Sequence, residues 1–125
     1  MIVDTDVLVW YLRGNQAASA AIDALGGFRI SVVTYAELLQ GMRDKAELAA
    51  LRRSIAGWNA RVVYLSEEVS AKALLLVEQH FHSGSLQFAD ALIASTALSR
   101  AEALLTANDR HYRMVEGLQI KRFRP

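Results

Sequence analysis

The chain has no cysteine, only three lysines and almost no net charge, and each shortage excludes something. Without cysteine there is neither a disulfide framework nor a thiolate metal site, which fits a reducing compartment. No uncharged apolar run approaches the roughly 18 residues that span a bilayer, and the first residues lack the basic stretch of a secretory leader, so a cytoplasmic protein without membrane association is expected. A formal charge of +1 gives no overall field that would gather nucleic acid. No linker, repeat or low-complexity segment divides the 125 residues, and one domain over 1–125 is expected.

What is present reads as a packed globular protein, with 53% hydrophobic and 22% charged residues. Arginine dominates the 14 basic residues, and its planar fork matches phosphate oxygens. Several basic residues fall late: Arg100, Arg110, Arg113, Lys121, Arg122 and Arg124. An ordinary solvated surface explains them equally well at this level.

Short β-type runs alternate with helical patterns. Residues 2–4 read as a strand, followed by a helix from about Asp6 to Gly14 and a second through "QAASAAIDAL". "FRISVV", "RVVYL", "EALLT" and "LQIKRF" read as further strands, the last at an edge. "TYAELLQGM", "KAELAALRRSIAG", "EEVSAKALLLVEQHF" and "LQFADALIASTALSR" read as helices. Strands separated by helices imply a parallel sheet with helices on both faces, whose ligand site lies beyond the carboxyl ends of the strands.

The opening stretch "MIVDTDVLVWYL" then poses a question, because it sets Asp4 and Asp6 among apolar residues where an unpaired carboxylate is costly. Asp4 falls at a predicted carboxyl end of a strand, where it can meet a cation. Glu37 in "VVTYAELLQG", Asp90 in "LQFADALIAS" and the pair Asn108–Asp109 in "LLTANDRHY" share its setting. Each has a local explanation: Thr34 and Glu37 spell a capping box, Asp90 suits the first turns of a helix, Asp109 could cap a short turn, and Asp4 or Asp6 could start the first helix. The small residues Ala89, Ala91, Ala94 and Ala97 around Asp90, however, imply a helix lying close on the sheet with its carboxylate turned inward. Carboxylates converging at one sheet edge repel unless a hard cation such as Mg²⁺ or Mn²⁺ sits between them, and such sites carry out phosphoryl chemistry.

The series "VDTDVLVWYL", "TYAELLQG", "FADALIASTAL", "LLTANDRHY" resembles the PIN-domain ribonucleases, specifically the VapC-like toxins of bacterial toxin–antitoxin pairs, in order over the whole chain. That resemblance implies a Mg²⁺-dependent endoribonuclease (Mn²⁺ as the substitute) on a three-layer α/β/α sandwich with a parallel sheet of about five strands. It implies Asp4, Glu37 and Asp90 as the metal-binding core acids, Thr34 as a hydroxyl near the metal and Asp6 as a nearby polar position. It also implies an RNA substrate, a cognate antitoxin whose C-terminal arm fills the acidic groove, and a homodimer. The fourth acid departs from the pattern: the family register falls on Asn108, expected to support the site, whereas the charge is on Asp109, expected as the fourth catalytic residue.

Two other readings compete. "DTDVL" also fits the D-x-D-x-V signature of haloacid-dehalogenase-type phosphatases, but no Asp-Asp or G-D-x-x-x-D follows, and the lysines are limited to Lys45, Lys72 and Lys121. A PIN-like fold that binds RNA or a protein without cutting is the non-enzymatic reading. His80, His82 and His111 read as solvated histidines, and Trp10, Tyr11, Tyr35 and Phe88 as core aromatics able in principle to stack on bases.

Overall fold

The computed structural model describes residues 1–83 and 86–125. Five strands, β1 (Ile2–Val3), β2 (Phe28–Ser31), β3 (Ala60–Val63), β4 (Leu104–Thr106) and β5 (Ile120–Arg122), form one sheet in the order β3-β2-β1-β4-β5. Every neighbouring pair is parallel, and β5 is an edge strand as expected. The helices are α1 (Thr5–Leu12), α2 (Gln16–Leu25), α3 (Val32–Gln40), α4 (Lys45–Gly57), α5 (Glu67–Gln79) and α6 (Phe88–Arg100). The chain builds outward from β1 through β2 to β3, then returns to lay β4 on the other side of β1. The order therefore reverses between β1 and β4, and a crevice opens there at the carboxyl ends.

Alternation along the strands makes the three layers. Ile2 and Leu104 face one core with Ala73 and Leu76 of α5 and Ala91, Ala94 and Ala97 of α6. Their successors Val3 and Leu105 face a second core with Val7, Leu8, Ala18, Ile22, Leu38 and Leu51 from α1 to α4. Central strands covered on both faces are continuously apolar, which is why these short runs could be read as strands. The seven residues Ala91–Ala97 are all buried, and the two hydroxyls among them are satisfied: Ser95 donates to the Val69 carbonyl at 2.7 Å and Thr96 to the Leu92 carbonyl at 2.8 Å.

Helix starts carry the chemistry expected of them, with one correction. Asn15, Asp44 and Ser66 cap α2, α4 and α5 through their side-chain oxygens. α3, however, begins at Val32 directly from β2, with Ser31 as its cap accepting from the Val33 amide at 3.1 Å. Thr34 thus lies inside the helix, and the Thr34–Glu37 capping box is not formed. The glutamate is released from a role in helix initiation and needs another explanation.

Candidate functional site

The register of β1 on β4 pairs Val3 with Leu105, so the next step brings Asp4 level with Thr106. The Asp4 amide donates to the Leu105 carbonyl at 2.9 Å, and its carboxylate caps α1 through the Thr5 amide at 2.8 Å. The buried Thr106 hydroxyl donates to the other Asp4 oxygen at 2.8 Å and accepts from the Asn108 amide at 3.0 Å. Asp6, one step along α1, accepts from the Ala107 amide at 3.1 Å through Oδ2, while its buried Oδ1 has no hydrogen-bond partner among the described residues. An orphaned carboxylate oxygen turned away from water is rare, and it marks a place where a cation would be welcome.

Electrostatics point the same way. Burial, reinforced by the neighbouring Asp6 charge, pushes the Asp4 carboxyl up to about 7. Burial also raises the Asp6 carboxyl above the usual carboxylate range. Two carboxylates two residues apart at a sheet edge are held under mutual repulsion that a divalent ion would relieve.

The remaining acids arrive from the two flanking helices. Glu37 on α3 accepts a hydrogen bond from the Thr5 hydroxyl at 2.7 Å, and that same hydroxyl lies 3.0 Å from the buried Thr34 Oγ1. Asp90, in the first turn of α6, is approached on both oxygens by the segment after β4. The Tyr112 hydroxyl donates to Oδ1 at 3.3 Å, and His111 Nδ1 lies 3.3 Å from Oδ2. Tyr112 is only 1% exposed, and burial next to Asp4 and Asp90 drives its phenol well above the usual range, so it is a permanent donor.

Asp4, Asp6, Glu37, Asp90 and Asn108 line one cleft of about 380 Å³, together with Trp10, Arg13 and His111 at its rim. Asp109, expected as the fourth catalytic residue, lies elsewhere. It opens a single 3₁₀ turn, Asp109–His111, and its carboxylate lies 3.6 Å from the Arg122 guanidinium on β5. Of the two candidates for the fourth polar position, Asn108 is therefore the one in the cleft. Its amide nitrogen lies 3.3 Å from the His111 ring.

The oxygen-only donor set is that of a hard divalent cation, and the orphaned Asp6 Oδ1 and the strained Asp4 charge both fit one. Among the described residues no group of three acidic or histidine side chains stands close enough to hold one ion directly. An ion bound here would keep water in its shell, as hard ions that support hydrolysis do.

Several contributors escaped the sequence reading. Thr5 lies in plain view within D-T-D, and Thr106 is a polar residue ending the apolar run "ALLT", which was its signal. His111, expected to be solvated and solitary, contacts Asp90, and nothing in its local sequence announced that contact. Trp10 is half-buried, packing against the second core while also lining the cleft, and Phe88 is exposed.

The PIN domain family model matches residues 1–117. A protein of Mycobacterium tuberculosis named Ribonuclease VapC10 is 37% identical over 125 residues, covering 95% of this chain and 90% of that one. Ribonuclease VapC1 of Methanocaldococcus jannaschii is 28% identical over 122 residues, covering 97% and 85%. Among solved structures, VapBC2 of Rickettsia felis bound to a DNA fragment from its promoter superposes with a TM-score of 0.84 over 98% of each chain, at 17% identity, a likeness of fold.

Proposed function

Because the chain belongs to the PIN domain family and, within it, to the VapC ribonucleases, we propose that it is a divalent-metal-dependent endoribonuclease, the toxin of a toxin–antitoxin pair. The observation that carries this reading is the acid-lined cleft at the β1–β4 reversal, with an orphaned buried carboxylate oxygen on its wall. We take the nuclease unit to be the whole of 1–125, since the sheet draws strands from Ile2 to Arg122.

Asp4, Glu37 and Asp90 are the residues we propose as metal ligands, directly or through the ion's water, with Mg²⁺ the preferred ion and Mn²⁺ its substitute. Asp6 and Asn108 support them. A divalent ion held there would lower the pKa of a bound water and offset the charge gathering on the scissile phosphate. The chain's own part is positioning. Thr106 and the Thr5 amide aim Asp4, the Thr5 hydroxyl orients Glu37, and Tyr112 and His111 steady the two oxygens of Asp90. Fixed donors of this kind hold the ligands before substrate arrives.

The partner is a cognate antitoxin whose C-terminal arm reaches the acidic cleft. An apolar groove of about 680 Å³ between α1, α3 and α4 runs on from that cleft, sharing Val9, Arg13 and Glu37 with it, and would accept such an arm. A second copy of this chain is our proposed cover for the exposed Tyr64, Leu65, Leu74, Leu75 and Phe81, which lie on or beside α5. Among the described residues no helix is long and apolar enough to cross a membrane.

Cleavage of RNA by the purified chain tests the reading. Activity that vanishes in EDTA, returns with Mg²⁺ or Mn²⁺ and is lost in Asp4→Asn is expected. Undiminished cleavage in EDTA would overturn the mechanism, and RNA bound but never cut would favour the non-catalytic alternative.

A further inference from the structure

The cleft carries an excess of negative charge, yet its proposed substrate is a polyanion, so cations at the rim must offset the repulsion. Two basic side chains line it, His111 and Arg13. His111 faces Asp90 at 3.3 Å. Arg13 has no such partner: among the described residues it forms no ion pair, unlike Arg29, Arg43, Arg100 and Arg122, and of the arginines without one it is Arg13 that lines the cleft. Its one contact of this kind is with Trp10, over whose ring the guanidinium carbon sits 5.8 Å from the centroid.

Arg13 is also well fixed at its backbone. It is the C-terminal cap residue of α1, its amide donates to the Val9 carbonyl at 3.0 Å, and Gly14 follows at φ +85°, a conformation that turns the chain sharply away. The helix dipole and the indole face explain why a cation is stable there. Neither neutralises it nor uses its five donors. The helix that places Asp4 at its amino end thus places an unpaired guanidinium at its carboxyl end, and both residues line the same cavity.

We infer that Arg13, held over Trp10, is a phosphate-binding site for single-stranded RNA that grips the backbone beside the scissile linkage. The inference rests on the ribonuclease reading for the identity of the polyanion. Trp10 is the positioning residue: it restricts the guanidinium and so lowers the ordering cost of each hydrogen bond to phosphate. Such a contact weakens binding without regard to base sequence when it is removed, and it is salt-dependent, because each phosphate neutralised on a single strand contributes about 0.7 to the slope of log K against log salt.

The test is binding of a fluorescent oligoribonucleotide to the chain 1–125 in EDTA, where removal of divalent metal stops the proposed hydrolysis, over a series of salt concentrations. It is run beside cleavage kinetics on the same oligonucleotide with Mg²⁺. Arg13→Ala is expected to weaken binding roughly three- to tenfold, to lower the salt slope by about 0.7, and to raise KM while kcat stays within about twofold. Arg13→Lys should keep the slope and part of the affinity. Trp10→Leu should weaken binding, and adding it to Arg13→Ala should cost little more, since the two act as a unit. Melting curves verify that each variant is folded. Unchanged affinity and slope in Arg13→Ala, with wild type still cleaving RNA, would overturn this inference and leave the nuclease reading intact. Arg13-dependent binding without any cleavage would do the reverse, and neither binding nor cleavage by the wild type would overturn both. If RNA binding is untouched but capture by the cognate antitoxin weakens, Arg13 serves the protein partner and the inference is wrong.

Discussion

The Thr5 hydroxyl donates to Glu37 Oε1 at 2.7 Å, joining the first turn of α1 to the body of α3 across 32 residues of sequence. Since Ser31, not Thr34, starts α3, Glu37 has no capping work to do, and its carboxylate is placed by this contact at the cleft wall. Glu37→Gln should therefore leave the fold intact and the metal-free melting temperature unchanged or slightly higher, because one charge leaves a repelling cluster. The stabilisation conferred by Mg²⁺ should shrink, and RNA cleavage should fall by orders of magnitude. Paired melting curves with and without metal, beside a cleavage assay, give the answer. Wild-type metal shifts in the variant would remove Glu37 from the site.

Asn108 and Asp109 should separate cleanly. Asp109→Asn removes an ion pair with the half-exposed Arg122, which is worth about 0–1 kcal/mol, and should leave cleavage within about twofold. Asn108→Ala empties a position in the cleft and should cost more activity. Asn108→Asp adds a carboxylate beside Asp6 and should raise the apparent affinity for Mn²⁺, measured by titration of the melting temperature. A larger loss in Asp109→Asn than in Asn108→Ala would mean that the turn after β4 rearranges when metal binds.

The raised Asp4 carboxyl has a definite consequence for pH. Its ordinary value is 3.8 and its folded value about 7, so the folded state binds a proton more tightly than the unfolded chain. The associated stability is complete below about pH 4 and is lost as pH rises toward 7. In metal-free protein, denaturant midpoints should fall over that window, and Asp4→Asn should flatten the profile. Divalent metal should stabilise more strongly above pH 7 than below it, because the ligand must give up its proton. A metal effect equal at pH 5 and pH 8 would contradict the assignment.

Thr106→Val probes the support beneath the site. Valine keeps the volume but removes the donor to Asp4 and the acceptor for the Asn108 amide. A loss of about 1–3 kcal/mol in chemical denaturation is expected, from unsatisfied groups rather than from a cavity, together with a weaker metal shift. A neutral substitution would show that water replaces the hydroxyl.

The sequence by itself determined the alternation of strands and helices, the five parallel strands and the carboxylates at their ends. Those features are written in local periodicity: Ile2–Val3 and Leu104–Leu105 are apolar on both faces, and the alanines of α6 announce a helix pressed onto the sheet. Tertiary structure decided what periodicity cannot encode. β2 runs into α3 without a loop, which moved the cap from Thr34 to Ser31 and freed Glu37. A single 3₁₀ turn sends Asp109 toward Arg122 and leaves Asn108 facing the cleft, and a rotation of one residue carries no signature in composition. The contacts of Thr5 with Glu37, Thr106 with Asp4 and His111 with Asp90 join elements 32, 102 and 21 positions apart, so they exist only after the crossovers have brought the strand ends together. Their energetic weight comes from that enclosure, since the same carboxylates in an open chain would be hydrated, uncoupled and without affinity for one shared ion.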